Sequence, residues 1–374
     1  MRDSSRSFKF NMEIKKITIY SVGLLGGSIG CALKKSGFDG EIIGISSQKN
    51  IDDAIKAKAI DYGVNYDETE KILQSADLLF LCSPIEVIIE TIKKISKMNL
   101  KDSMIITDIG STKNEIVKTA QRFLPENVKF IGGHPMAGSE KNGAKSADPF
   151  LFQNAVWVLY SQNKNDAGEF GAFLEKYLGC KTKFINPEIH DKIVATISHV
   201  PHIIAVGLVN AAEKVNKKIN GTLDLAAGGF KSLTRIASSP YKMWHDIYET
   251  NKDANVEILN LFIDEMIELR EKLKNASLKD AFENAAKTRA KLSENQKGFV
   301  HNLHRIIVIA EDKPGFLAKI LTILAQDRLN VNDIELLKVR EGDAGSFMFA
   351  FIDKNTAEKA VNLLQAAGFS ARID

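Results

Sequence analysis

An apolar run at residues 17–22 leads straight into the turn Ser21-Val22-Gly23-Leu24-Leu25-Gly26-Gly27-Ser28, and residues 24–35 continue with a helical period. This strand–turn–helix unit near the start constrains the chain most, because the next 160 or so residues repeat it. Residues 41–45 read as a strand and 52–59 as a helix. Residues 78–82 and 104–107 are short buried strands, each followed by a helix pattern, and 128–131, 155–160 and 181–185 add further strands. Short continuous apolar runs alternating with amphipathic stretches predict a mostly parallel sheet with helices on both faces.

The texture changes twice more along the 374 residues, a length that calls for two or three domains. Residues 187–298 are almost wholly helical in period. From 304 the order is strand (304–310), helix (314–325), strand (331–339), strand (346–352), helix (357–366) and strand (369–373), a βαββαβ unit of ferredoxin-like type. The expected architecture is therefore α/β: a Rossmann-type doubly wound domain over 14–186, an all-helical domain over 187–298 and a ferredoxin-like domain over 302–374.

The turn after the first strand is a weakened GxGxxG fingerprint. Gly23 and Gly26 take the second and third glycine places and Ser21 the first. The second glycine admits the pyrophosphate close to backbone, including that of Leu24 and Leu25, and the third lets the helix pack on the strand. Phosphate would sit at the positive helix N-terminus. A plain strand–helix turn is the bland alternative. The acid that usually meets the ribose of NAD is absent: its place falls on Ser46, and nearby Lys49 suits a 2′-phosphate. The residues thus favour NADP and leave NAD open. Ser83-Pro84, residues 108–111 and His134 are placed on the same edge of the sheet.

Four segments carry polar chemistry: Thr107-Asp108-Ile109-Gly110-Ser111-Thr112-Lys113, Gly132-Gly133-His134-Pro135-Met136-Ala137-Gly138-Ser139-Glu140, Ser198-His199-Val200-Pro201-His202, and Gly228-Gly229-Phe230-Lys231-Ser232-Leu233-Thr234-Arg235. With them the sequence resembles the prephenate/arogenate dehydrogenase family of tyrosine biosynthesis over roughly residues 14–298, followed by an ACT-type ligand-sensing domain over roughly 302–374.

The resemblance implies roles residue by residue. His134 matches the histidine that contacts the ring hydroxyl of the substrate, and a neutral imidazole there can take the proton left when hydride departs. Loss of the ring carboxylate as carbon dioxide then makes the ring aromatic, so no metal is called for. Ser111 matches a serine beside that histidine and the nicotinamide; its bland reading is a helix N-cap. His202, with Ser198 nearby, would contact the substrate side chain. Arg235 would hold a substrate carboxylate through its planar fork, against the plain reading of a surface arginine. Glu140, Asp191 and Trp244 fall where relatives line or gate the site. His199, three before His202 on one helix face, is either structural or part of the site.

In the ACT-like unit, Asp312-Lys313-Pro314-Gly315-Phe316-Leu317 matches the loop where an amino acid lies against backbone between paired domains. The pathway makes tyrosine the expected inhibitor; a domain that only dimerises is the alternative. A homodimer through the long helices is likewise implied. Prephenate and arogenate, which differ in one keto or amino group, are not separated, and bacterial relatives of this domain arrangement favour prephenate.

Composition narrows the rest. Lys+Arg 50 against Asp+Glu 47 gives no field of one sign and no basic run, which argues against nucleic acid. The three cysteines, Cys31, Cys82 and Cys180, form no ligand or disulfide pattern and suit a reducing cytoplasm. No membrane span is expected, because no apolar stretch reaches the roughly 18 residues needed. A different hydroxy- or amino-acid dehydrogenase, and a catalytically idle sensor, are the competing functions.

Overall fold

The computed structural model describes residues 13–138, 141–293, 303–310, 313–338 and 345–374. Its contacts divide it into two compact units, which part between Ala276 and Ser277.

The first unit is built on an eight-stranded sheet. Its strands are β1 (Lys16–Tyr20), β2 (Glu41–Ile45), β3 (Tyr62–Val64), β4 (Leu78–Leu81), β5 (Ile105–Asp108), β6 (Lys129–Pro135), β7 (Val156–Tyr160) and β8 (Lys181–Phe184), in the order β3-β2-β1-β4-β5-β6-β7-β8. All neighbours run parallel except β6 and β7, which are antiparallel. Helices α1 (Leu24–Lys35), α2 (Gln48–Lys56), α3 (Thr69–Leu73), α4 (Ile85–Ile95), α5 (Asn114–Phe123) and α6 (Lys164–Leu178) cover it. One core gathers Ile17, Ile19, Phe80, Trp157 and Phe173; the other gathers Ile43, Leu79, Leu81, Ile88 and Ile106. Adjacent residues of one strand fall in different cores because side chains alternate across a sheet. That is why the central strands read as unbroken apolar runs. Strand β3, only three residues long, has no counterpart in the apolar pattern because Tyr62 and Gly63 carry no such signal.

Local chemistry fixes the turn after β1. Ser21 takes a left-handed φ of 69° where glycine is usual. That conformation costs a non-glycine residue on the order of 1 kcal/mol. Its hydroxyl is held in compensation, 2.6 Å from the Ser83 Oγ that donates to it and 3.1 Å from the Tyr66 hydroxyl. A Cβ on Gly26 would stand 2.9 Å from Ile19 Cγ2 and 3.0 Å from the Ser21 carbonyl, so only glycine lets α1 lie this close to β1.

After the sheet come α7 (Pro187–Val194), α8 (Val200–Asn216), α9 (Gly228–Thr234), α10 (Tyr241–Thr250) and α11 (Lys252–Lys274). Between α7 and α8 the residues Ala195–His199 form a π-helical turn. Pro201 accounts for it: in a regular α-helix its ring would strike the carbonyl of Ile197, and a wider turn relieves the clash. The three segments run on as one helix, Pro187–Asn216, 30 residues long and apolar enough to cross a membrane by length and composition. This corrects the expectation that no such stretch exists: the π turn absorbs Pro201, so the proline does not break the helix. Length and composition are weak grounds for a span, and this helix carries the buried polar side chains of His190, Asp191, His199 and His202.

The second unit holds α12 (Lys279–Ser293), then β9 (His304–Ala310), α13 (Phe316–Gln326), β10 (Asp333–Lys338), β11 (Gly345–Phe351), α14 (Lys354–Ala366) and β12 (Ala371–Ile373). The strands form an antiparallel sheet in the order β10-β11-β9-β12, the expected ferredoxin-like topology. Its core includes Ile306, Val308, Ile320, Leu324, Phe349 and Phe351.

Candidate active site

Parallel strands leave their C-terminal ends on one edge, and here that edge collects the turn after β1, Ser83 after β4, Ser111 after β5 and His134 near the end of β6. Gly23 is the N-cap of α1, and the first turn of that helix has no side-chain cap. A Cβ on Gly23 would meet nothing within 4 Å, so the backbone beside Leu24 and Leu25 is open to an approaching group. Open backbone and uncapped N–H groups fit a pyrophosphate. Around the ribose position Lys49 is exposed, as expected, but Ser46 is not available. It is fully buried with its Oγ unpartnered, and the exposed hydroxyl belongs to Ser47, the N-cap of α2. Buried Ser83 and exposed Pro84, the N-cap of α4, complete this edge. Tyr66, through Ser21, also belongs to it; its signal, a tyrosine in a polar stretch, is too weak to single out in the sequence.

The polar centre lies where β5 and β6 meet α7. His134, partly buried, has its Nδ1 2.9 Å from His190 Nε2, and His190 Nδ1 is 2.8 Å from Asp191 Oδ1. Asp191 in turn accepts from the backbone N–H groups of Lys113 at 2.7 Å and Asn114 at 2.9 Å, capping α5 from another helix. That displaces the N-cap reading of Ser111: the N-cap residue is Lys113, and Ser111 is partly buried and makes no hydrogen bond to His134. Beneath this, Lys113 pairs with Asp108, both buried, and Asp108 also accepts from the N–H groups of Gly110 at 2.8 Å and Gly133 at 3.1 Å. Burial holds the His134 imidazole well below its ordinary pKa, and the neighbouring His190, Lys113 and His199 push the same way. The His134 imidazole is thus neutral at neutral pH, and among the described residues no hydrogen bond reaches its Nε2.

From Asp191 the network continues into the helices. Asn251 Nδ2 donates to the Asp191 carbonyl at 2.8 Å and lies 3.3 Å from His199 Nδ1, which is also 3.2 Å from Asn255 Oδ1. His199 is buried, with a pKa lowered to about 4 by that burial. It ties the π turn to α11. Trp244 packs its ring against both histidines, edge-on to His199 at 6.2 Å and stacked on His202 at 3.9 Å. His202 Nδ1 lies 2.7 Å from the hydroxyl of Tyr248, a residue that no motif marks, whose pKa burial raises to about 12. The Nε1 of Trp244 is buried without a hydrogen-bond partner, and the His202 ring, whose pKa burial lowers, has the Ile236 backbone beside it opposing that shift. The Arg235–Ser238 turn packs against α8, with Arg235 exposed at its start, and Ser198 is partly buried in the π turn. Glu140 lies outside the described residues.

In the second unit Gly315 is the N-cap of α13 at a φ of 82° with open space at its Cβ, which fits the expected loop. Pro314 is exposed, whereas Phe316 and Leu317 are partly buried against the unit's core. Asp312 lies outside the described residues.

Comparison with known proteins agrees with this layout. Residues 29–186 match the family described as prephenate dehydrogenase, nucleotide-binding domain; residues 186–288 match its dimerization domain; residues 304–369 match the ACT domain. The prephenate dehydrogenase of Bacillus subtilis (strain 168) is 32% identical, covering 94% of this chain and 95% of that protein. The prephenate dehydrogenase of Lactococcus lactis subsp. cremoris is 35% identical, covering 95% of this chain and 98% of that protein. Among solved structures, the A. aeolicus prephenate dehydrogenase in complex with hydroxyphenyl propionate and NAD+ superposes with a TM-score of 0.68 at 29% identity, covering 75% of this chain and 98% of that one.

Proposed function

The chain belongs to the prephenate dehydrogenase family, a family of oxidoreductases, and on that premise we propose that it oxidatively decarboxylates prephenate to 4-hydroxyphenylpyruvate. The observation that carries the reading is His134: a desolvated, neutral imidazole at the cofactor edge of the sheet, held through Nδ1, with no hydrogen bond to Nε2 among the described residues.

The bound nicotinamide supplies the hydride acceptor. His134 Nε2 accepts the proton of the ring hydroxyl as hydride leaves the carbon that bears it. The bond from the ring to its carboxylate then breaks, carbon dioxide departs, and the released electron pair completes the aromatic ring. The phenolic oxygen recovers its proton from His134. Arg235 binds a substrate carboxylate bidentately, and Ser111 contacts the reacting end. A protonated Tyr248 can donate to His202 Nδ1, which leaves the Nε2–H of His202, beside the Ile236 backbone, and the partnerless Nε1–H of Trp244 as two donors. Two donors suit the keto acid side chain of prephenate better than the ammonium of arogenate, the alternative substrate. Exposed Lys49 and the missing acid after β2 favour NADP over NAD.

Two further parts of the reading concern assembly and control. Helix α10 buries no residue and α11 only Asn255, while Ile189, Ile197 and Leu261 are more than half exposed. An apolar surface of that kind is what a homodimer would cover. Tyrosine at the Gly315 loop would act as an inhibitor, and substrate must then weaken tyrosine binding by the same factor.

The test is absorbance of reduced nicotinamide with prephenate or arogenate and NAD or NADP in all four combinations. A rise with prephenate supports the reading and identifies the dinucleotide. A rise with arogenate alone reassigns the substrate, and silence in all four with folded protein overturns the reaction.

A further inference from the structure

The His134 imidazole works as a base at Nε2 only if its single proton sits on Nδ1, and hydrogen bonds beyond the reacting edge decide that. Both Asp191 oxygens accept from backbone N–H groups, those of Lys113 and Asn114. Asp191 therefore meets His190 as an acceptor, and His190 Nδ1 must be the donor across their 2.8 Å contact. A neutral imidazole has one proton, so His190 Nε2 is then an acceptor. Across the next contact, 2.9 Å, His134 Nδ1 must donate. What remains on His134 is a bare Nε2. The two supporting residues are 1% and 3% exposed, so water does not compete for these bonds. No sequence motif surrounds His190, and the family resemblance gives Asp191 only a place lining the site.

We propose that His190 is a positioning residue for this reaction: anchored by Asp191 at the N-terminus of α5, it fixes the tautomer of His134 and so keeps the reacting nitrogen unprotonated. The inference rests on the dehydrogenase reading of His134 and adds a residue that does not itself touch substrate. Its logic is general, since the partner of one ring nitrogen sets the state of the other. The reverse arrangement, with His134 accepting at Nδ1, needs either two acceptors facing each other between Asp191 and His190 or a doubly protonated His190 in the interior.

The test has two arms on the full-length chain. In the first, nitrogen NMR of histidine-labelled wild-type protein at neutral pH, assigned with His134→Gln, reads the tautomer directly. A proton on Nδ1 of His134 with a bare Nε2 is expected; a proton on Nε2 overturns the proposal. In the second, His190→Leu removes the acceptor while His190→Gln keeps an amide oxygen that can take the Nδ1–H. The leucine variant should lose on the order of 100-fold in kcat, with KM moving much less, and the glutamine variant should regain most of that loss. A purely structural histidine would lower Tm and active fraction in both variants alike. Unchanged kcat in His190→Leu also overturns the proposal. If the leucine variant fails to fold, the wild-type tautomer decides alone. Absence of wild-type turnover would sink the dehydrogenase reading, while the tautomer measurement would still stand.

Discussion

His202 lies flat against Trp244, ring centroids 3.9 Å apart and planes 15° from parallel. The stack orients one histidine whose Nδ1 is already held by Tyr248. If the pair receives the substrate side chain, removing the ring should disturb binding more than chemistry. An aromatic pair contributes about 1 kcal/mol beyond its buried area. Trp244→Ala should therefore raise KM by roughly 5-fold with kcat reduced far less, and Trp244→Phe, which keeps a stacking face, should stay near wild type. Steady-state kinetics on both variants checks it. A fall in kcat with KM unchanged would place Trp244 in the chemistry instead.

Gly23 and Gly26 stand in one turn yet are required for different reasons. A Cβ on Gly23 meets nothing within 4 Å, whereas one on Gly26 would press on Ile19 and the Ser21 carbonyl, at 2.9 and 3.0 Å. Gly23→Ala should keep its melting temperature and bind dinucleotide more weakly. Gly26→Ala should melt lower, with overpacking costing about 1–3 kcal/mol. Thermal melting paired with calorimetric titration of NAD and NADP separates the two. Equal melting temperatures for both variants would contradict the packing argument.

The same turn shows how far sequence alone reaches. The strand–helix alternation, the ferredoxin-like order and the edge holding His134 are legible because apolar period and glycine spacing are local signals. What stays hidden depends on distant partners. Ser21 reads as a defect in the fingerprint, and its tolerance of a left-handed φ comes from Ser83 and Tyr66, 62 and 45 residues away. Ser46 sits at the right spacing for a ribose contact, and only the structure shows it buried, with Ser47 on the surface. Ser111 reads as a cap because serine often is one, but the cap arrives from Asp191 on α7. His190 has no motif around it at all.

Lys113 and Asp108 form an ion pair buried to 1% and 0% exposure, so each depends on the other. Burial lowers the Lys113 pKa, and Asp108 opposes that. Removing one partner of a buried pair leaves the other charge uncompensated, a loss of roughly 3–5 kcal/mol. Asp108 would keep its bonds from the Gly110 and Gly133 N–H groups, which places Lys113→Met toward the lower end. Denaturant unfolding of Lys113→Met should show a clearly lower midpoint. A midpoint within error of wild type would mean that the buried pair does not contribute to stability, against the argument from its burial.

His199 makes the fold sensitive to acid in a direction that can be worked out. Its pKa is lowered to about 4 in the folded chain by burial, with His190 adding to the shift and Asn255 and Asp191 opposing it. The unfolded value is about 6.5. The unfolded chain therefore binds the proton first as pH falls. The contribution of neutral, buried His199 is full above about pH 6.5 and is lost progressively down to about 4, amounting to about 3 kcal/mol. His134, also held below its ordinary value, adds a loss of the same sign. In His199→Gln an amide can still reach Asn251 or Asn255 and has no proton to gain. Urea unfolding at a series of pH values between roughly 7.5 and 4.5 should show wild-type stability falling more steeply than that of the variant, by close to one proton. Parallel curves would mean that His199 is no more buried in solution than an ordinary surface histidine, and the brace between the π turn and α11 would have to be abandoned.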